Sequence, residues 1–142
     1  MEETDIAYLA GIVDGDGSIS IAKCTRYKGR CRYWLQLNVT NCSKELVEWI
    51  KDRYGGTIQT KTPTTKGRAI YRWCLANQNA EYLIEELVDY LIVKKDQAYV
   101  ALEFRNTYGK TDYRQGGLSQ DIIDMRDVMR EAVSKLNRGE EL

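Results

Sequence analysis

Residues 8–18, YLAGIVDGDGS, decide the reading of this chain. Ile6, Leu9, Ala10 and Val13 fall at helical spacing, so Asp5–Val13 is predicted as a short helix that Thr4 can cap. The helix is lined with small residues, Ala7, Ala10 and Gly11, which would let another helix pack against it at very close range. Gly15 and Gly17 are expected to end it, leaving Asp14-Gly15-Asp16-Gly17 with two carboxylates on flexible backbone. Hard oxygen donors in that arrangement suit Mg²⁺. A helix end followed by a turn, where Asp-Gly is common, accounts for the same letters. The ligand ladder of an EF-hand, with its closing Glu, is absent.

Beyond Gly17 the period falls to two. Ile19 and Ile21 alternate with Ser20 and Ala22, and Leu35, Leu37 and Val39 alternate with Trp34, Gln36 and Asn38. With Lys28-Gly29-Arg30 as the turn, Ser18–Thr40 reads as one long antiparallel hairpin. Ser43 begins a second helix to about Tyr54, burying Leu46, Val47 and Ile50, and Gly55-Gly56 stops it. Thr57–Leu75 repeats the hairpin around a tip holding Pro63 and Gly67, and Tyr71, Trp73 and Leu75 alternate with Ile70, Arg72 and Cys74. Helices are expected over Ala80–Leu91 and Asp96–Thr107. A polar stretch from Tyr108 to Gly117 and Leu118-Ser119 then lead to a last amphipathic helix ending about Leu136. The class is α+β: αββαββαα with a further C-terminal helix, one four-stranded antiparallel sheet of two hairpins covered on one face by helices. No second-domain linker interrupts residues 1–142, which are read as a single domain.

A chain of 142 residues is long enough for a real core, since a chain near 150 buries roughly 68–70% of its unfolded surface. It contains no histidine, which excludes Ser-His-Asp and Cys-His machinery, histidine-ligated zinc and an imidazole base. Any catalysis must use carboxylates, Lys, Arg, Tyr, Cys or a hard metal ion. Cys24, Cys31, Cys42 and Cys74 form no C-x-x-C pair and are read as reduced thiols of an intracellular, soluble protein. The acidic start, Glu2, Glu3 and Asp5, lacks the basic residues of a targeting peptide, and no apolar run approaches the ~18 residues of a membrane span.

The 21 basic and 21 acidic residues sum to zero, but they are segregated. Residues 19–40 hold Lys23, Arg26, Lys28, Arg30 and Arg32 and no acid; residues 57–75 hold Lys61, Lys66, Arg68 and Arg72 and no acid. Edge strands carry Lys and Arg to prevent aggregation, yet that need would admit Asp and Glu as well. The bases share their hairpins with Ser20, Gln36, Asn38, Gln59, Tyr27 and Tyr33. Arg, Gln and Asn read base edges in a major groove that fits a two-stranded ribbon, so the face looks like a nucleic-acid reading surface.

YLAGIVDGDGS resembles the LAGLIDADG motif of homing endonucleases, specifically the single-motif enzymes that act as homodimers. The element order also matches. Val39-Thr40-Asn41 falls where the family has a polar active-site residue, residues 90–98 (YLIVKKDQA) resemble the stretch bearing an active-site lysine, and Leu136-Asn-Arg-Gly139 looks familiar. The resemblance covers about residues 5–139. It implies a dimer interface on the motif helix, at Ala7, Tyr8, Ala10, Gly11 and Asp14. It implies Asp16 as the metal-binding carboxylate, the Gly15 carbonyl completing the ligand set, Asn41 ordering water near the phosphate, and Lys94 polarising it or stabilising developing charge. Where the family usually has Gln, this chain has Asn41, and where some relatives place a base it has Glu45 after Lys44.

The implied function is Mg²⁺-dependent hydrolysis of both strands of a long, near-palindromic double-stranded DNA site. With no histidine available, the nucleophile would be water activated by the ion. Strand parity puts Ser20, Ala22, Cys24, Arg26, Arg32, Trp34, Gln36 and Asn38 on the groove face, with Thr57, Gln59, Lys61, Ile70 and Arg72 from the second hairpin. The tip residues Lys28, Arg30, Lys66 and Arg68 would meet phosphates. Two other readings of the same fold remain at this point, an RNA maturase that binds intron RNA to assist splicing and a noncatalytic DNA-binding regulator.

Overall fold

A computed structural model of the protein describes residues 2–27, 30–62, 67–107 and 120–142. The elements follow the expected order: α1 (Glu3–Asp16), β1 (Gly17–Tyr27), β2 (Arg30–Asn41), α2 (Lys44–Tyr54), β3 (Thr57–Lys61), β4 (Ile70–Ala76), α3 (Asn77–Leu87), α4 (Lys95–Arg105) and α5 (Gln120–Asn137). The sheet is antiparallel throughout, in the order β1-β2-β4-β3. Both hairpins are present, and β2 and β4 join them, Leu37 facing Leu75 and Asn41 facing Tyr71.

The period-two pattern sorts the sheet as the alternation predicts. Ile19, Ile21, Tyr33, Leu35, Leu37, Val39, Trp73 and Leu75 are buried against helices on one side. Ile6, Leu9, Ala10 and Val13 of α1, Val47 and Ile50 of α2, Leu83, Ile84 and Leu87 of α3, and Phe104 of α4 complete that core. Ser43 caps α2, its hydroxyl accepting the Leu46 N–H at 3.2 Å. Gly56 sits at φ +96°, and a Cβ there would lie 2.5 Å from the Cys74 carbonyl, so the stop after α2 requires glycine. Among the described residues no helix is long and apolar enough to cross a membrane.

Boundaries differ from expectation where tertiary packing overrides local signals. Thr4 does not cap α1; the helix starts from Glu2, whose carbonyl accepts the Asp5 and Ile6 N–H groups. Gly15 does not end α1 either. The helix runs on to Asp16, and Gly17 passes directly into β1, where a Cβ would lie 2.7 Å from the Val13 Cα. The absence of a loop fixes Asp16 rigidly between helix and sheet. α3 begins directly after β4 at Asn77 (φ +61°), a left-handed conformation that Asn tolerates. It ends at Leu87, four residues before Leu91, which is buried through a turn instead. The turn at Lys28-Gly29, Pro63 and residues 108–119 lie outside the described residues.

Candidate functional site

The foot of α1 brings three predicted site residues together. Asp16, exposed, is the last residue of α1, Asn41 the last of β2, and Lys94 the residue before α4. The β1–β2 register, Gly17 facing Val39, puts the end of α1 beside the end of β2. There the Asn41 Nδ2 donates to Asp16 Oδ2 at 2.9 Å, while Asn41 Oδ1 accepts the Ser43 N–H at 2.7 Å. The Lys94 Nζ donates to the Asp14 carbonyl at 2.8 Å, which holds the ammonium one peptide from the Gly15–Asp16 corner.

The two aspartates of the motif have separate fates. Asp14 accepts three main-chain N–H groups, those of Ile92 (2.9 Å), Val93 (3.1 Å) and Lys94 (3.1 Å). Its carboxylate ties the turn before α4 to α1, so it is committed within the chain. Asp16 stands at the negative end of the helix macrodipole, in a last turn without a basic residue. A carboxylate there is poorly compensated unless a cation approaches. Among the described residues no group of three or more His, Cys, Asp or Glu converges. One chain therefore offers one carboxylate and the Gly15 carbonyl, from the turn whose carbonyls lack intrahelical partners. That donor set fits Mg²⁺, which is usually held by one or two carboxylates together with waters and substrate phosphates.

The sheet face away from the helices carries Ser20, Ala22 and Cys24 of β1 opposite Gln36, Trp34 and Arg32 of β2. Arg32 lies over the Trp34 ring at 5.7 Å. Further along, Thr40 faces Arg72, which in turn faces Gln59, and Lys61 faces Ile70. Ser18, Asn38, Thr40, Lys61, Ile70 and Arg72 line a recess of about 290 Å³. Asn38 is only 5% exposed, and its Oδ1 has no hydrogen-bond partner among the described residues. An unpaired buried acceptor is costly, and it is the sort of group a bound donor satisfies. Ser18 and Thr40 were missing from the sequence prediction, although parity alone would have included them. Arg68 is exposed just before β4. Arg26 and Arg30 lie in β1 and β2, whereas Lys28 and Lys66 fall outside the described residues.

Among the described residues, Lys23 is a hairpin base that is not on this face. Lys23 points to the helix side, where its ammonium meets Asp127 of α5 at 2.8 Å and the Tyr33 hydroxyl donates to the same oxygen at 2.6 Å. The alternation that puts Ser20 and Ala22 outward sends Lys23 inward, so this base is neutralised.

The outer side of α1 exposes Thr4, Ala7, Tyr8, Gly11 and Gly15. Tyr8 makes an edge contact with Trp49 at 5.1 Å and is 56% exposed. Ala10 requires correction: it is fully buried in the chain's own core, because it falls on the Ile6–Val13 face of the helix, and it is not available to a partner. A Cβ on Gly11 or Gly15 would meet nothing within 4 Å. Glycine inside a helix costs about 1 kcal/mol relative to alanine, and no described residue requires it at either position.

The sequence matches the profile of the family described as LAGLIDADG endonuclease over residues 9–105. No curated protein sequence matches it. Among solved structures, the homing endonuclease I-CvuI, in complex with the I-CreI target in the presence of 2 mM Mg and with the DNA not cleaved, superposes with a TM-score of 0.78 at 20% identity, covering 99% of this chain and 86% of that one. The archaeal intron-encoded homing endonuclease I-Vdi141I, complexed with DNA, gives 0.73 at 21% identity over 96% of this chain and 86% of that one. The meganuclease I-SmaMI bound to uncleaveable DNA gives 0.70 at 18% identity, with 90% of this chain matching 44% of that one. The profile spans more than half of the chain and includes the second half of α1, both hairpins and Lys94, so this protein belongs to the LAGLIDADG endonuclease family.

Proposed function

We propose that the protein is a site-specific DNA endonuclease that works as a homodimer and cleaves both strands of a long, near-palindromic duplex by divalent-metal-dependent phosphodiester hydrolysis. The observation that carries the proposal is the contrast within Asp14-Gly15-Asp16. The first carboxylate is consumed by three main-chain N–H groups, and the second is left exposed at the negative end of α1, with the Lys94 ammonium held two residues back on the Asp14 carbonyl.

Each element of the site has a task. Asp16 and the Gly15 carbonyl would hold a divalent ion; use of such an ion is supported by I-CvuI, whose DNA complexes were crystallised in the presence of Mg and of Ca. When bound, that ion supplies Lewis acidity at the scissile phosphate and activates water. Lys94, anchored through its main-chain N–H on Asp14, keeps a positive charge near the phosphate as negative charge develops. The acid-free face of Arg32, Trp34, Gln36, Asn38, Gln59, Lys61 and Arg72 would lie along the major groove. The exposed small residues of α1, with Gly11 and Gly15 approached by nothing among the described residues, support two copies crossing there at close range. The crossing would set one Asp16 from each copy beside the other, over the two scissile phosphates.

The test is selection of cleaved sites from a randomised duplex library, with Mg²⁺ in one arm and Ca²⁺ in the other. A single pseudo-palindrome cut only with Mg²⁺ is expected. Binding without cutting in either arm overturns the nuclease reading and favours the regulator or the maturase.

A further inference from the structure

Asn41 is held by two hydrogen bonds that fix which way its amide faces. The Ser43 main-chain N–H can only donate, so the atom it meets at 2.7 Å is the Asn41 carbonyl oxygen. An ionised Asp16 can only accept, so the atom it meets at 2.9 Å is the Asn41 amide nitrogen. Both constraints agree on one orientation. Ser43 itself is fixed by its own side chain, which caps α2 on the Leu46 N–H. A relay of three fixed residues thus runs from the N-terminus of α2 through Ser43 and Asn41 to Oδ2 of Asp16.

We infer that Asn41 is a positioning residue, locking the Asp16 carboxylate for metal binding by donating to Oδ2, and that this, rather than contact with the reacting atoms, is its contribution. The inference rests on the nuclease reading above and refines it. The carbonyl oxygen is anchored by the Ser43 N–H and the amide nitrogen by Asp16, so both ends of the side chain are held and its donor is aimed at the carboxylate that would hold the ion. The short Asn side chain suits this role, because the Asx turn onto Ser43 requires the carbonyl two bonds from Cα. Partners that orient a metal-ligating carboxylate typically change metal affinity by 10–100-fold when removed.

The experiment uses the full chain with the duplex recovered from the cleavage selection, and follows Mn²⁺ binding by electron paramagnetic resonance. Asn41→Ser keeps a side-chain acceptor for the Ser43 N–H but is too short to reach Asp16. It should raise the Mn²⁺ dissociation constant about tenfold or more, leave DNA binding without metal and the melting temperature unchanged, and lose part of its cleavage deficit as Mn²⁺ is raised. Unchanged Mn²⁺ affinity with cleavage slowed at every metal concentration overturns the inference, because that pattern belongs to a group acting on the reacting atoms. Should the serine variant fail to fold, the wild-type chain still decides the matter. The side-chain N–H₂ resonances of Asn41 must shift on Asp16→Asn, and their failure to move equally overturns the inference. The wild-type control separates the two levels. A wild-type protein that neither takes Mn²⁺ on DNA nor cuts it sinks the nuclease reading and this inference with it. Wild-type activity matched in every respect by Asn41→Ser sinks the role of Asn41 alone.

Discussion

Lys23 and Arg72 stand on opposite faces of the same sheet. Lys23 is turned among the helices, where Asp127 meets its ammonium at 2.8 Å and the Tyr33 hydroxyl binds the same carboxylate. Arg72 lies between Thr40 and Gln59 at the rim of a recess, on a face to which no strand contributes an acid. The same division runs through the motif. Asp14 is satisfied by three N–H groups of its own chain, and Asp16, two residues on, receives one side-chain amide at an exposed helix end. Lys23 and Asp14 are matched within the chain, while Arg72 and Asp16 have no ion-pair partner among the described residues. The difference is therefore between structural and functional charge, and substitutions on the two sides should have different signatures.

The largest effect belongs to Asp16. Asp16→Asn should leave the fold and site binding intact and lower cleavage by at least about a hundred-fold, since even partners behind a metal ligand cost 10–100-fold. Single-turnover cleavage beside a gel-shift titration checks it, and normal cutting by this variant removes the site assignment. Arg72→Ala comes next. If Arg72 reads a base edge, its loss should cost about 1–3 kcal/mol of binding and relax preference at one position of the site. If it meets a phosphate, affinity should instead fall for all sequences and the salt slope should drop by about one. Lys23→Met, on the opposite face, should leave both preference and slope unchanged. A slope that responds equally to both substitutions would break the comparison.

Asp14→Ala should be the mirror image of Asp16→Asn. It removes charge-assisted hydrogen bonds worth about 1.5–3 kcal/mol and frees the turn before α4. The urea midpoint should fall accordingly, and Lys94 should lose its main-chain anchor with it. A variant with unaltered stability would show that the carboxylate is not structural.

Much of this was legible in the letters because the sheet is sorted by parity. Once Ile19, Ile21, Leu35 and Leu37 are assigned inward, Ser20, Gln36 and Arg72 must face outward, and the burial follows that rule. The same rule would have set Lys23 apart, but its partner lies 104 residues away on α5, and no local pattern announces Asp127. Ala10 was misassigned for a related reason. Its smallness fits a tight helix crossing as well as a tight core, and only its phase with Ile6 and Val13 separates the two. The end of α1 was also beyond local reading. Asp-Gly-Asp-Gly signals a turn in isolation, and the helix persists to Asp16 because the β1 ladder begins at once and Asp14 is held from outside by residues 92–94.

The smallest effect concerns the Lys23–Tyr33–Asp127 cluster, and it carries a pH signature. Lys23, and after it the Tyr33 hydroxyl, hold the Asp127 carboxyl below its ordinary value of 3.8. That contribution is complete above 3.8 and fades as pH falls toward the lowered folded value. Asp127 in turn, followed by Tyr33, holds the Lys23 ammonium above 10.5, a contribution present below 10.5 and lost as pH rises past it. Burial, and then the bond to Asp127, holds the Tyr33 hydroxyl above 10.0, so the alkaline loss begins no earlier than that. Asp127 is 41% exposed, and solvent screening limits the cluster to about 1 kcal/mol. The stability difference between the wild-type chain and Asp127→Asn, read from urea midpoints, should therefore be flat from about pH 5 to 9 and shrink on both sides. A difference that is flat at pH 3 as well would mean that Lys23 is held inward by packing, with its charge unmatched, and the contrast with Arg72 would lose its electrostatic basis.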